Sequence, residues 1–210
     1  MINLVTEFES SFERGEVGYL EEKVYFQLLE FYEDEYLYEK ALLVVDMAIE
    51  QFKYRSEFYI IKARLLLNGN KVKDSLSVLS FAETIAPFER EISIIKVRAL
   101  AISKKFAEAQ EIVEDLSVGA TRSESADLLI AESFIYEHMK DYNAMYNVLA
   151  KAVMLDSNNE EAMERVWISA ELSRRYEDSV ELHKTIIERD PYNFQAWYNL
   201  GHGYNCIMEY

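Results

Sequence analysis

One spacing constrains this chain more than any other: segments of similar make-up recur at an offset of 34 residues. YIIKARLLL, from Tyr59, and SIIKVRALA, from Ser93, both carry Ile-Ile-Lys-x-Arg at that offset. A second kind of segment, with small and apolar residues at helical spacing, begins at Lys40, Asp74, Asn143 and Asp178. One register takes in units 22–55, 56–89, 90–123, 126–159 and 160–193, then a half unit over 194–210, with Glu124 and Ser125 inserted. A fixed period of this length marks a repeat array, in which each unit buries its apolar face against its neighbours.

The register also says what each unit is made of. Positions 8, 20 and 27 are mostly small: Ala63, Ser133 and Gly201 at 8, Ala41, Ser75, Ala109 and Ser179 at 20, Ala48, Ala82 and Ala152 at 27. Small residues there let two antiparallel helices approach, and large ones at 4, 7, 11 and 24 fill around them. Pro87 and Pro191 share position 32, where proline stops the second helix. Only 6 Gly and 2 Pro occur in 210 residues, too few for the frequent turns of an all-β design. Half of the chain is hydrophobic, enough for a core. The expected fold is all-α: ten helices in hairpins, an N-terminal helix and a lone C-terminal one.

These features resemble the tetratricopeptide repeat. Trp197, Leu200, Gly201 and Tyr204 fall at that family's positions 4, 7, 8 and 11, and Asp190-Pro191-Tyr192-Asn193 resembles its repeat-ending run. The resemblance covers residues 22–210 and implies a right-handed superhelical solenoid of antiparallel helix hairpins. The acidic, tyrosine-rich first unit is also similar to repeat proteins of Bacteroidetes-type bacteria. Val97 and Trp167 replace the small residue at position 8, so Trp167 is expected to displace its partner helix or point elsewhere, with local distortion. Residues 1–21 lie outside the register; Leu4, Phe8 and Phe12 share one helical face there, and Gly15 and Gly18 end it. That segment is expected to cap the first unit. The chain stops at Met208-Glu209-Tyr210, where a further second helix would begin. It therefore reads as a fragment of a longer protein, or as an array closed by its last helix.

No catalytic constellation appears. His138, His183 and His202 lack the partners of a metal site, and none of them reads as more than a surface or inter-helix histidine. The single cysteine, Cys206, has His202 one turn away but no third orienting group, and it rules out a disulfide framework. There is no glycine-rich phosphate loop, no GxSxG and no HExxH. The chain is read as neither an enzyme nor a cofactor binder. Its net charge of -16 disfavours nucleic acid. With no signal peptide or membrane span, a cytoplasmic location is expected. The charge is uneven: residues 1–55 hold 13 acids and 5 bases, whereas residues 56–89 hold 4 of each and residues 90–125 hold 6 of each. That pattern is either a set of solvated helix faces or a field that steers a partner.

The resemblance implies a groove lined by positions 2, 5, 9, 12 and 13 of the first helices. Position 5 would form an apolar strip, Phe26, Ile60, Ile94 and Ile130, that either contacts a partner or is partly covered by neighbouring helices. Chaperone-binding members hold a peptide's terminal carboxylate with Lys and Asn at positions 5 and 9; no unit here has that pair, so such a clamp is not expected. Arg64 and Arg98 share position 9, and neither has an acid three or four residues away. Glu30 is expected to pair with Arg64, leaving Arg98, beside Phe134, as a free guanidinium for a partner's carboxylate. The half unit adds Gln195, Tyr198, His202, Asn205 and Cys206. The function expected is a non-catalytic scaffold that holds a protein or peptide segment in this groove. The alternative is a structural module that self-associates through the C-terminal half unit.

Overall fold

The computed structural model describes residues 2–208; the end of the chain at Glu209 and Tyr210 lies outside them. Twelve helices follow one another, with no strand among the described residues. They are α1 (Ile2–Glu13), α2 (Glu22–Asp34), α3 (Tyr38–Gln51), α4 (Ser56–Asn68), α5 (Val72–Ile85) and α6 (Arg90–Ile102). Then come α7 (Phe106–Ser117), α8 (Arg122–Met139), α9 (Tyr142–Leu155), α10 (Glu160–Ser173), α11 (Tyr176–Arg189) and α12 (Phe194–Met208). The chain divides into two compact units, Met1–Ile95 and Lys96–Tyr210, with the boundary inside α6.

The turn inside each helix pair is the same device five times. Tyr36, Asn70, Lys104, Lys140 and Arg174 all have φ between 57° and 63°, and all occupy position 15 of the register. Each sits in a Schellman motif. After α2, for example, Leu37 N–H reaches the Tyr32 carbonyl at 2.8 Å and Tyr36 N–H reaches the Glu33 carbonyl at 3.0 Å. These bonds satisfy carbonyls that the helix end would otherwise leave bare. None of the five is glycine, so each carries the left-handed strain of a side-chain-bearing residue. Lys140→Gly is accordingly expected to raise stability by about 0.5–1 kcal/mol, read by chemical denaturation; a loss would show that the Lys140 side chain contributes more than its backbone costs.

The small positions lie where helices meet. Ala41, Ser75, Ala109, Met145 and Ser179, all at position 20, are buried. Ser75 uses its hydroxyl to donate to the Ala63 carbonyl on the facing α4, at 2.9 Å. The third copy is irregular. The helix α7 stops at Ser117, Gly119 turns the chain at φ 76°, and a Thr121–Glu124 capping box starts α8. The inserted Glu124 and Ser125 thus lie in the first turn of a lengthened helix.

In the first unit, α1 packs its Val5 and Phe8 into a core with Tyr25, Leu28, Tyr32 and Val44. Phe12 is 42% exposed and only stacks on Phe8, at 6.1 Å between ring centroids. Glu9 adds an ion pair to Lys40 at 2.6 Å and accepts from the Tyr32 hydroxyl at 3.1 Å; the Lys40 bond holds its carboxyl below the ordinary range. Deleting residues 1–21 is expected to lower the melting temperature and to increase binding of a hydrophobic dye, since those core residues would face water. An unchanged melt would make the segment a tail.

Candidate functional site: the crevices between first helices

Two crevices of the same construction occur, one in each unit. Each is lined by positions 5, 8 and 9 of one first helix and positions 6 and 9 of the next. In the first unit these are Phe26, Leu29 and Glu30 on α2 with Ile61 and Arg64 on α4, around about 340 Å³. In the second they are Glu164, Trp167 and Ile168 on α10 with Asn199 and His202 on α12, around about 780 Å³.

The apolar strip expected at position 5 is not continuous. Ile60 and Ile130 are only 3% and 2% exposed. Ile60 packs in a core with Ala63, Leu79 and Ile92, and Ile130 in one with Leu149 and Met163. Position 5 in α4 and α8 therefore faces neighbouring helices. Phe26 is half-buried and stacks on Phe58 with centroids 4.7 Å apart, and Ile94 is also half-buried.

Neither arginine is a free anchor. Arg64 grips both carboxylate oxygens of Glu33, at 3.2 and 3.0 Å. Glu33 lies nearly one helical turn beyond Glu30, and Glu30 takes no part in the pair. Arg98 places Nη2 2.9 Å from both oxygens of Glu161, and its guanidinium lies 4.4 Å from the Phe134 ring centroid. The same ring holds Arg165 at 3.6 Å. Arg165 in turn donates to Ser133 Oγ and to Glu137, each at 2.9 Å. The line of first helices α6, α8 and α10 is thus filled by two cations, one ring and two carboxylates.

The crevice between α10 and α12 is different. Trp167, the misfit at position 8, leaves α10 unbroken; its ring lines the crevice, 5.4 Å from His202. Tyr198, one turn before His202 on the same face of α12, lies 4.6 Å from it and is 52% exposed. Tyr192 and Phe194 at the rim are 94% and 79% exposed. Tyr198 and His202 belong to the groove set without standing out in the sequence, and of the two outcomes open to Trp167, a displaced partner helix or a ring that points elsewhere, the crevice provides a place for the second.

A buried polar network holds the floor. His183 on α11 sets its Nδ1 2.7 Å from the Ser179 carbonyl, which can only accept, so Nδ1 carries the proton and Nε2 is an acceptor. Asn199 on α12 donates one N–H to His183 Nε2 at 3.1 Å and the other to the Met163 carbonyl of α10 at 3.0 Å. Gln195 donates to Asn199 Oδ1 at 3.0 Å. Three helices are tied at one amide. Burial pushes the His183 pKa down, against the smaller effect of its bond to Ser179.

Among the described residues no group of three His, Cys, Asp or Glu side chains is arranged to hold a metal ion, and no helix is long and apolar enough to cross a membrane.

No family model and no curated protein matches the chain. Solved structures do. Residues 41 to the end of MamA from Desulfovibrio magneticus RS-1 are similar at 16% identity and a TM-score of 0.52, over 79% of this chain and 93% of that one. A double mutant of MamA from RS-1 gives 14% identity and 0.52, over 89% and 94%. A tetratricopeptide repeat protein from Parabacteroides merdae ATCC 43184 gives 13% and 0.49, over 87% and 73%. The MamA likeness is one of fold alone. Joined to the 34-residue period, the Trp-Leu-Gly-Tyr pattern of α12 and the repeated helix pairs, it gives this chain a helical-hairpin repeat fold of the tetratricopeptide type.

Proposed function

We propose that the protein is a non-catalytic binding scaffold and that it holds a segment of a partner protein in the crevice between α10 and α12. One observation carries this reading: a recess of about 780 Å³ in which Ile168 and Tyr198 keep 38% and 52% of their surface open to water. Apolar surface held in a concavity by rigid helices is what a peptide-binding site needs. The crevice between α2 and α4 is the weaker candidate, because the Arg64–Glu33 pair occupies it.

The test is selection of displayed random peptides against the full chain, followed by affinity measurement on Tyr198→Ala. Selected peptides should lose about tenfold or more, the effect of removing one well-placed aromatic contact. Selection of nothing, or of peptides indifferent to Tyr198 and also to Trp167→Ala, would remove the crevice from consideration.

The second reading is self-association. It rests on the outer face of α12, where Trp197, Tyr204 and Met208 are 51%, 42% and 77% exposed. Sedimentation across a hundredfold concentration range separates the two. A scaffold of the first kind stays monomeric; a self-associating chain grows, and Trp197→Ser together with Met208→Ser reverses the growth.

A further inference from the structure

We infer that the segment taken by the α10–α12 crevice is basic, and that a lysine or arginine side chain of the partner enters among Trp167, Tyr198 and Glu164. The inference rests on the scaffold reading above and names the chemistry of its ligand. The crevice is lined by Glu160, Glu164 and Asp190 and by no lysine or arginine. Asp190 Oδ1 accepts from the Tyr192 N–H at 3.1 Å. Glu160 sits in the first turn of α10, where the helix N-terminus favours a carboxylate. Glu164 is a turn further on, exposed, and makes no ion pair among the described residues. It stands solvated at the crevice and is open to a partner's cation.

The rings point the same way. Trp167 and Tyr198 flank His202 at 5.4 and 4.6 Å. Tyr198 is exposed and Trp167 partly so, and Trp and Tyr faces attract ammonium and guanidinium groups, more strongly where a recess excludes water.

The protein already contains the arrangement in its occupied form. Between α8 and α10 the Phe134 ring receives the guanidiniums of Arg98 and Arg165, at 4.4 and 3.6 Å, while Glu161 and Glu137 neutralise them at 2.9 Å. Between α10 and α12 the rings and the carboxylates recur, and the chain supplies no cation. Charge complementarity therefore selects a basic segment over an acidic one. The unit-one crevice makes the contrast: its Glu33 is answered from within by Arg64.

The experiment uses three fluorescein-labelled twelve-residue peptides with identical apolar positions and with Arg, Glu or Ser at the remainder, titrated into the full chain by anisotropy. The Arg peptide should bind at least tenfold more tightly than the Glu or Ser peptide. Glu160→Gln with Glu164→Gln should weaken it about tenfold, and Tyr198→Ala similarly, with thermal melts unchanged. Because the chain is acidic throughout, Glu111→Gln with Glu114→Gln on α7 serves as control and should change the affinity less than twofold. An equal loss from the α7 pair would mean that the peptide reads only net charge, and would overturn the inference. Equal binding of the Ser and Arg peptides, both abolished by Tyr198→Ala, would overturn it while leaving the scaffold reading intact. Absence of binding by all three at millimolar concentration would count against both.

Discussion

Asn199→Ala is expected to cost about 2–4 kcal/mol, because it strips one buried acceptor of its donor, at about 1–3 kcal/mol, and cuts two further hydrogen bonds, at about 0.5–1.5 kcal/mol each. The acceptor is His183 Nε2, which loses its only donor among the described residues; the two bonds are the one to the Met163 carbonyl, which ties α12 to α10, and the one from the half-buried Gln195. For a chain of this size the melting temperature should fall by roughly 5–15 °C. The same change should loosen α12 from α10 and so weaken ligands of the crevice, which shares Met163, Gln195 and Asn199 as lining. A melt within a degree of the parent would show that the amide is solvated and not structural.

The network also sets a pH dependence whose sign is fixed by geometry. His183 is held neutral: its Nε2 faces an N–H donor, and burial lowers its pKa below the ordinary 6.5. The unfolded chain therefore binds a proton at a higher pH than the folded one does. This contribution to stability is intact above pH 6.5 and falls as pH drops from there toward the folded-state pKa, by at most about 1.4 kcal/mol per pH unit for one proton. Asn199→Asp exchanges the donor for an acceptor. It should lower stability, raise the His183 pKa and reverse the slope, so that stability is greatest below the unfolded value and is lost as pH rises through the new one. Proton NMR of the His183 ring follows both shifts.

What the sequence conveyed and what it did not follow from the range of the interactions. The 34-residue period tied small residues to helix contacts, and position 20 is indeed buried from Ala41 to Ser179. A local search could not find the partner of Arg98, because Glu161 is 63 residues away. The left-handed turn at position 15 left no glycine to reveal it, since five backbone motifs impose it on Tyr36, Asn70, Lys104, Lys140 and Arg174. At Trp167 the small-residue rule leaves two outcomes, a displaced partner helix or a ring that points elsewhere. Its ring had a second place to go, into the crevice, and that place exists only once α12 is folded beside α10.

The two glycines of α12 separate sharply in the same way, and they supply the other large effect. Gly201 holds the position at which the repeat pattern calls for a small residue, yet a Cβ there would meet nothing within 4 Å. Gly203, which the pattern does not single out, is the one in close contact: a Cβ would stand 2.8 Å from Val180 Cγ2 on α11. Valine inside a helix has essentially one side-chain rotamer, so Val180 cannot swing away, and α12 itself must shift. Gly203→Ala is expected to cost about 1–3 kcal/mol from overpacking, net of its better helix propensity. Gly201→Ala should instead gain about 0.5–1 kcal/mol, because only the backbone entropy of glycine is removed. Val180→Ala in the Gly203→Ala background should recover most of the loss, a coupling of about 1–3 kcal/mol in a double-mutant cycle read by denaturation. If both glycine variants stabilise the chain, α11 and α12 are not in the close contact that sets the width of the crevice.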